Sequence, residues 1–161
     1  NGRQGGPGHE EEKDRMTTEA AITPSPVPLF ITPMDVRWQD LDAYNHVNNA
    51  NYLVYLQEAR IRWLELLPDK WYSEDGAPVM AHSELNYRLP IEFPADIQIE
   101  LFANRMGTSS MTVGHRIVST DDATKIHCDG SVTMVWVNPK TGRPVPIPQV
   151  IRDAVAEAGR G

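Results

Sequence analysis

Two periodicities divide the chain. From Pro78 to Val137 apolar and polar residues alternate with period two, whereas Asn49 to Leu67 repeats with the period of a helix. In VMAHSELNYR, Val79, Ala81, Ser83, Leu85 and Tyr87 share one face; in DIQIELF, Ile97, Ile99 and Leu101 oppose Gln98 and Glu100. SMTVGHRIVST sets Val113, His115 and Ile117 against Thr112, Gly114 and Arg116. KIHCDGSVTMVWV lines up Ile126, Cys128, Gly130, Val132, Met134 and Trp136. Turns rich in Gly, Pro, Asn and Asp separate these runs (PIEFP, NRMGTS, STDDATK, NPKTGRP). FITPMDVRW, with Met34, Val36 and Trp38 against Asp35 and Arg37, adds an earlier strand.

The helical stretch carries Tyr52, Tyr55, Leu56, Ala59, Trp63 and Leu66 as one apolar stripe. Leu53, Val54 and Ile61 widen it, so this helix is expected to be covered on more than one side. Glu58 and Arg62 have the spacing of a favourable ion pair on the polar face, and Pro68 stops the helix. QVIRDAVAEA predicts a short closing helix. The order is strand, long helix, then four strands read as a meander: an α+β fold, a five-stranded antiparallel sheet holding one long helix. Gly130, in the middle of the last strand, weakens that strand unless something approaches closely, and the helix is the expected neighbour.

The 161 residues suffice for one domain with a sizeable core. The first 28 residues, rich in Gly, charge and then Pro, read as a disordered or tag-derived tail before a domain spanning 29–158, with Met16 a candidate native start. A net charge of -7 argues against duplex nucleic acid as the partner. No apolar run reaches the roughly 20 residues of a membrane span, and the N-terminus lacks the basic-then-apolar order of a signal peptide. The single Cys128 offers no disulfide or Cys-based metal framework. A cytoplasmic protein with no metal or cofactor and no membrane partner is the expectation.

The chemistry concentrates in QDLDAYNHVNN, between the first strand and the helix. A helix start leaves backbone N–H groups unpaired and carries partial positive charge, so it holds anions and developing oxyanions. Asn48 or Asn49 suits the N-cap. Spacing alone leaves two readings open: a turn with its cap, or a catalytic loop.

Asp40, Asp42, His46, Val47, Asn48, Asn49, Tyr52, Glu58, Ala59 and Arg60 together resemble the signature of the 4-hydroxybenzoyl-CoA thioesterase type of hotdog-fold acyl-CoA thioesterases, D-x-D-x-x-G-H-V-N-N-x-x-Y followed by E-A-R. SELNYRLPI resembles the family's second strand, and VWVNPKTGRPVPIP its last strand and the turn beyond. The resemblance runs from about Phe30 to Ala158 and implies a hotdog fold, a sheet wrapped around a long central helix. It also implies hydrolysis of an acyl-CoA thioester. Asp42 would attack the carbonyl or act as general base on water, and the backbone N–H near Asn49 would polarise the carbonyl. Losing such a donor costs about 2.7–4 kcal/mol in barrier. Tyr52 would line the acyl pocket. His46 and Asn48 would support the loop, His46 with a share in the water attack.

Asn45 stands where the family has Gly, and Asn is the residue other than Gly that best tolerates positive φ. Arg88 and Arg105, with Arg116, Lys140 and Arg143 behind them, are candidate cations for the CoA phosphates. His82, His115 and His127 lie on separate strands without ligand spacing, so no metal site is expected. Glu58 and Asp40 read as structural acids. The resemblance implies a homodimer or homotetramer. Two other readings stay in view, a non-catalytic acyl-CoA or acyl-carrier binding module and an enoyl-thioester hydratase. The hydratase pattern D-x-N-P-x-H is not matched, because His46 follows Asp42 by four residues and Asp40 by six.

Overall fold

A computed structural model describes residues 27–160. The segment read as a tail, Met16 included, lies outside the described residues but for its last two positions. Strand β1 (Phe30–Asp35) leads through a 3-10 turn at Trp38–Asp40 into helix α1 (Asn49–Glu65). Strands β2 (Ala77–Tyr87), β3 (Asp96–Met106), β4 (Ser110–Ser119) and β5 (Ile126–Val137) follow, and helix α2 (Gln149–Ala158) closes the chain. All neighbouring strands are antiparallel, in the order β1-β3-β4-β5-β2.

Register explains the core. Met111 and Met134, Val113 and Val132, His115 and Gly130, and Ile117 and Cys128 lie opposite one another on β4 and β5, so alternate residues of both strands form one continuous face. Ile99 and Leu101 extend that face across β3. Tyr52, Tyr55, Leu56, Ala59, Trp63 and Leu64 of α1 belong to the same buried cluster. Ile147 and Ile151 close one end, where Arg152 of α2 donates to the carbonyls of Gly107 and Thr108 at 2.8 and 2.9 Å. This is the hotdog architecture.

Several details differ from the sequence reading. Strands β2 to β5 are not a simple meander: β2 pairs with β5, and residues 88–95 carry the chain across to β3, which pairs with β1. Alternation identifies a strand but not its neighbour, and a connection with two prolines is no tight hairpin. Leu66 is exposed and Leu64 buried instead, because α1 ends at Glu65 and Leu66 caps it. Arg60, outside the apolar stripe, is nonetheless only 7% exposed. At Gly130 the close neighbour is not the helix. With φ at 153°, a Cβ there would meet the Glu84 carbonyl of β2 at 1.9 Å and the His115 ring at 3.1 Å. The widened helix stripe is also open within one chain, for Leu53, Val54 and Ile61 are 40–47% exposed. Among the described residues no helix is long and apolar enough to cross a membrane.

His115 is 2% exposed; no hydrogen bond of good geometry reaches its ring, although the Glu84 backbone acts on it and favours the charged form. Burial first, then the charge of Arg60, pushes its pKa down from 6.5 to about 4. The unfolded chain therefore takes up a proton below 6.5 that the folded chain refuses until about 4. Stability is full above that window and falls as pH drops through it, by on the order of 3 kcal/mol. Urea unfolding of wild type and His115→Gln at about pH 7 and about pH 4.5 checks this. The wild type should lose distinctly more stability than the variant, and equal losses would contradict the assignment.

Candidate active site

The site is built on the loop between β1 and α1. Asp40 is 2% exposed, yet its carboxylate is fully engaged. It accepts from the backbone N–H of Arg37 at 3.0 Å, from Arg37 Nη2 at 3.0 Å and Nε at 3.3 Å, and from the Tyr55 hydroxyl at 2.6 Å. Burial raises its pKa, but the bonds from Arg37 and Tyr55 outweigh burial and the net shift is downward. Tyr55 is pushed above its ordinary value by burial and then by donating to that carboxylate. The Asp40 carbonyl accepts from the Asn48 N–H at 2.7 Å and the Asn51 side chain at 2.9 Å. One buried residue thus ties the loop to the first two turns of the helix.

Asp42 is exposed. Its Oδ1 accepts from the N–H groups of Tyr44 at 2.8 Å and His46 at 3.1 Å, folding the loop back on itself. These two bonds, His46 first, hold its pKa below the ordinary carboxylate value. Oδ2 receives no bond from the described residues, so the carboxylate is ionised, oriented and half free. Asn45 takes φ of 60°, as its place in the loop requires, and donates to the Phe93 carbonyl at 3.3 Å.

Asn48 is the N-cap of α1; its side chain accepts from the Ala50 N–H at 3.0 Å. That leaves the N–H of Asn49, the first helical residue, without an acceptor among the described residues, as the opening of a helix dictates. The crossover from β2 to β3 builds the opposite wall. Val47 donates to the Ile91 carbonyl at 2.8 Å, and His46 Nε2 lies 3.4 Å from Glu92 Oε1. Tyr87 meets the Tyr52 ring edge-on at 4.9 Å and donates its hydroxyl to the Asn49 carbonyl at 3.1 Å.

Asp42, His46, Asn48, Asn49, Tyr52 and Arg88, six of the residues singled out from the sequence, line one pocket of about 350 Å³. Arg105 does not line it; it sits on β3 opposite Thr112. Arg88 stands at the rim with its guanidinium on both oxygens of Asp129, at 2.7 and 3.1 Å. Glu58 pairs with Arg62 at 2.9 Å, away from the pocket. Val47, part of the motif, and Tyr87, Leu89 and Pro90, which the sequence reading did not assign to a site, complete the lining. The stretch SELNYRLPI was visible as a strand and its exit, but only the crossover brings it against the loop. Among the described residues no group of three or more His, Cys, Asp or Glu side chains is arranged to hold a metal ion.

A hotdog fold presenting such a pocket at its helix start is compatible with a class, the thioester hydrolases, and the sequence comparisons assign the chain to it. The chain belongs to the thioesterase-like superfamily, whose sequence model matches residues 36–155. It is 27% identical over 128 residues to the long-chain acyl-CoA thioesterase FadM of Escherichia coli K12, covering 78% of this chain and 96% of FadM. The PA2801 protein of Pseudomonas aeruginosa superposes with a TM-score of 0.74 at 38% identity, over 80% of this chain and 98% of that one. A thioesterase from Thermus thermophilus, crystallised with coenzyme A and Zn, superposes with a TM-score of 0.70 at 28% identity, over 84% and 98% of the two chains.

Removing the Tyr55 hydroxyl strips a buried carboxylate of one donor. Tyr55→Phe should lose about 1.5–3 kcal/mol of stability, the worth of a hydrogen bond to a charged group. Denaturant unfolding measures it, and an unchanged midpoint and slope would show that the Asp40 clamp does not rely on Tyr55.

Proposed function

We propose that the protein hydrolyses acyl-CoA thioesters to the free acid and CoA, with Asp42 as the catalytic carboxylate. The observation that carries the reading is the meeting of Asp42 and the start of α1 on one pocket. A thioester carbonyl set in that pocket has an ionised carboxylate on one side and the Asn49 N–H on the other. Asp42 Oδ2 either attacks the carbonyl carbon or takes the proton of an attacking water. In both cases the carbonyl oxygen gains negative charge, which the unpaired N–H and the helix dipole stabilise. Collapse then breaks the C–S bond and releases CoA as thiolate. On the water route the free acid forms directly and the proton on Asp42 passes to the thiolate. On the direct route a water then hydrolyses the acyl–Asp42 anhydride to the free acid and restores the carboxylate. Tyr52, 4% exposed, contributes an apolar ring to the acyl side. His46, held between Asp42 and Glu92, orients the loop. Arg88 at the rim is the candidate contact for a CoA phosphate. FadM, named as a long-chain acyl-CoA thioesterase, and the coenzyme A complex of the Thermus enzyme support this substrate class.

Asp42→Asn should lower kcat/KM for an acyl-CoA by at least about 100-fold, the scale of a positioned acid–base group. Thiol release across short, long and aromatic acyl-CoAs measures it. Intact turnover in the variant would remove Asp42 from the mechanism, and no turnover by wild type on any of them would remove the reaction. Because hydrogen bonding holds the Asp42 pKa below 3.8, the acid limb of kcat/KM should lie below that pH.

The same reading includes a homo-oligomer. Strand β2 is a sheet edge, and Val79, Met80, Leu53 and Val54 are 42–48% exposed along it and on α1. Such an edge needs covering. Light scattering at micromolar concentration should give at least a dimer; a monomer would contradict it.

A further inference from the structure

A second pocket, of about 400 Å³, opens between the C-terminal half of α1 and the first half of β2. Ile61, Leu64, Trp71, Met80 and Met134 line it with Arg60. Arg60 is eleven residues beyond Asn49, so about 16 Å along the helix from the Asp42 pocket. Its surroundings are mainly apolar, with Gln57 and Tyr72 the other polar side chains on the pocket wall. The side chain is 7% exposed, Nη1 has no hydrogen-bond partner, and no ion pair from the described residues reaches it. Burial lowers its pKa to about 10, with no carboxylate acting against the shift, so the group remains cationic at neutral pH. The titratable group that feels its charge is His115, which stays neutral at that pH.

A guanidinium kept charged in an apolar wall is costly to the folded chain unless an anion meets it. The volume is that of a small-molecule site, and its lining is mainly apolar with Arg60 the one charged side chain. We infer that this pocket binds a monocarboxylate with an apolar chain, the head on Arg60 and the tail against Leu64, Trp71 and Met134. The inference stands on Arg60 and its pocket and does not depend on the role of Asp42. Ile61 and Met80 also belong to the face expected to meet a second copy, so a carboxylate of that copy is the competing occupant.

Calorimetric titration of the full chain with sodium octanoate tests it, with 1-octanol and octyltrimethylammonium as matched probes. Octanoate should bind once per chain, at least about tenfold more tightly than octanol, with no binding of the cation. Arg60→Met should reduce octanoate to the level of octanol. Met80→Trp, at the pocket rim, should block both while its circular dichroism and oligomeric state stay those of wild type. Asp42→Asn should bind octanoate as wild type does, which separates this pocket from the thioester site. Equal binding of octanoate and octanol, undiminished octanoate binding in Met80→Trp, or loss of octanoate binding in Asp42→Asn would overturn the inference. So would absence of octanoate binding, and a simultaneous drop in oligomeric state in Arg60→Met would then assign the guanidinium to a second copy.

Discussion

The grip of Asp40 on the start of α1 is the interaction on which the site depends. Its carboxylate is buried against Arg37 and Tyr55, and its carbonyl takes the N–H of Asn48 and the side chain of Asn51. A buried carboxylate is tolerable only when fully bonded. The same bonds that satisfy it therefore fix where the helix begins. Because Asn48 is pinned there, Asn49 becomes the first helical residue and lines the same pocket as Asp42. Two acids two residues apart thus divide the work, one buried to hold the loop and one exposed toward the pocket.

The sheet supplies the other half. Order β1-β3-β4-β5-β2 obliges residues 88–95 to cross from one edge of the sheet toward the other, and that path runs beside the loop. Val47 on Ile91 and His46 near Glu92 join the two segments, so the pocket is a seam between parts of the chain distant in sequence. Gly130 serves the same assembly from beneath. Without a side chain there, the Glu84 carbonyl of β2 comes close enough to β5 for the edge strand to seat.

Periodicity made the elements legible, because a half-buried strand and a buried helix each impose their repeat on the residues they bury. Asn45 could be read too, since a positive φ narrows the choice of residue. The loop residues Asp42, His46, Asn48, Asn49 and Tyr52 were legible through the motif, being contiguous along the chain. Tyr87, Leu89 and Pro90 were not, because their role follows from strand order, which alternation does not encode. Arg60 was not, because its burial is set by where β2 lies and not by its place on the helical stripe. Arg88 and Arg105 looked equivalent as basic residues, and only the path of the crossover put Arg88 at the rim.

The central claim is geometric: the Asp40 clamp directs Asp42 and the Asn49 N–H at the same carbonyl. A crystal structure of Asp42→Asn with an intact acyl-CoA bound tests it most directly. The account predicts the thioester oxygen at about 3 Å from the Asn49 nitrogen, with the side chain at position 42 against the carbonyl carbon. A carbonyl held elsewhere, its oxygen away from the helix start, would contradict it.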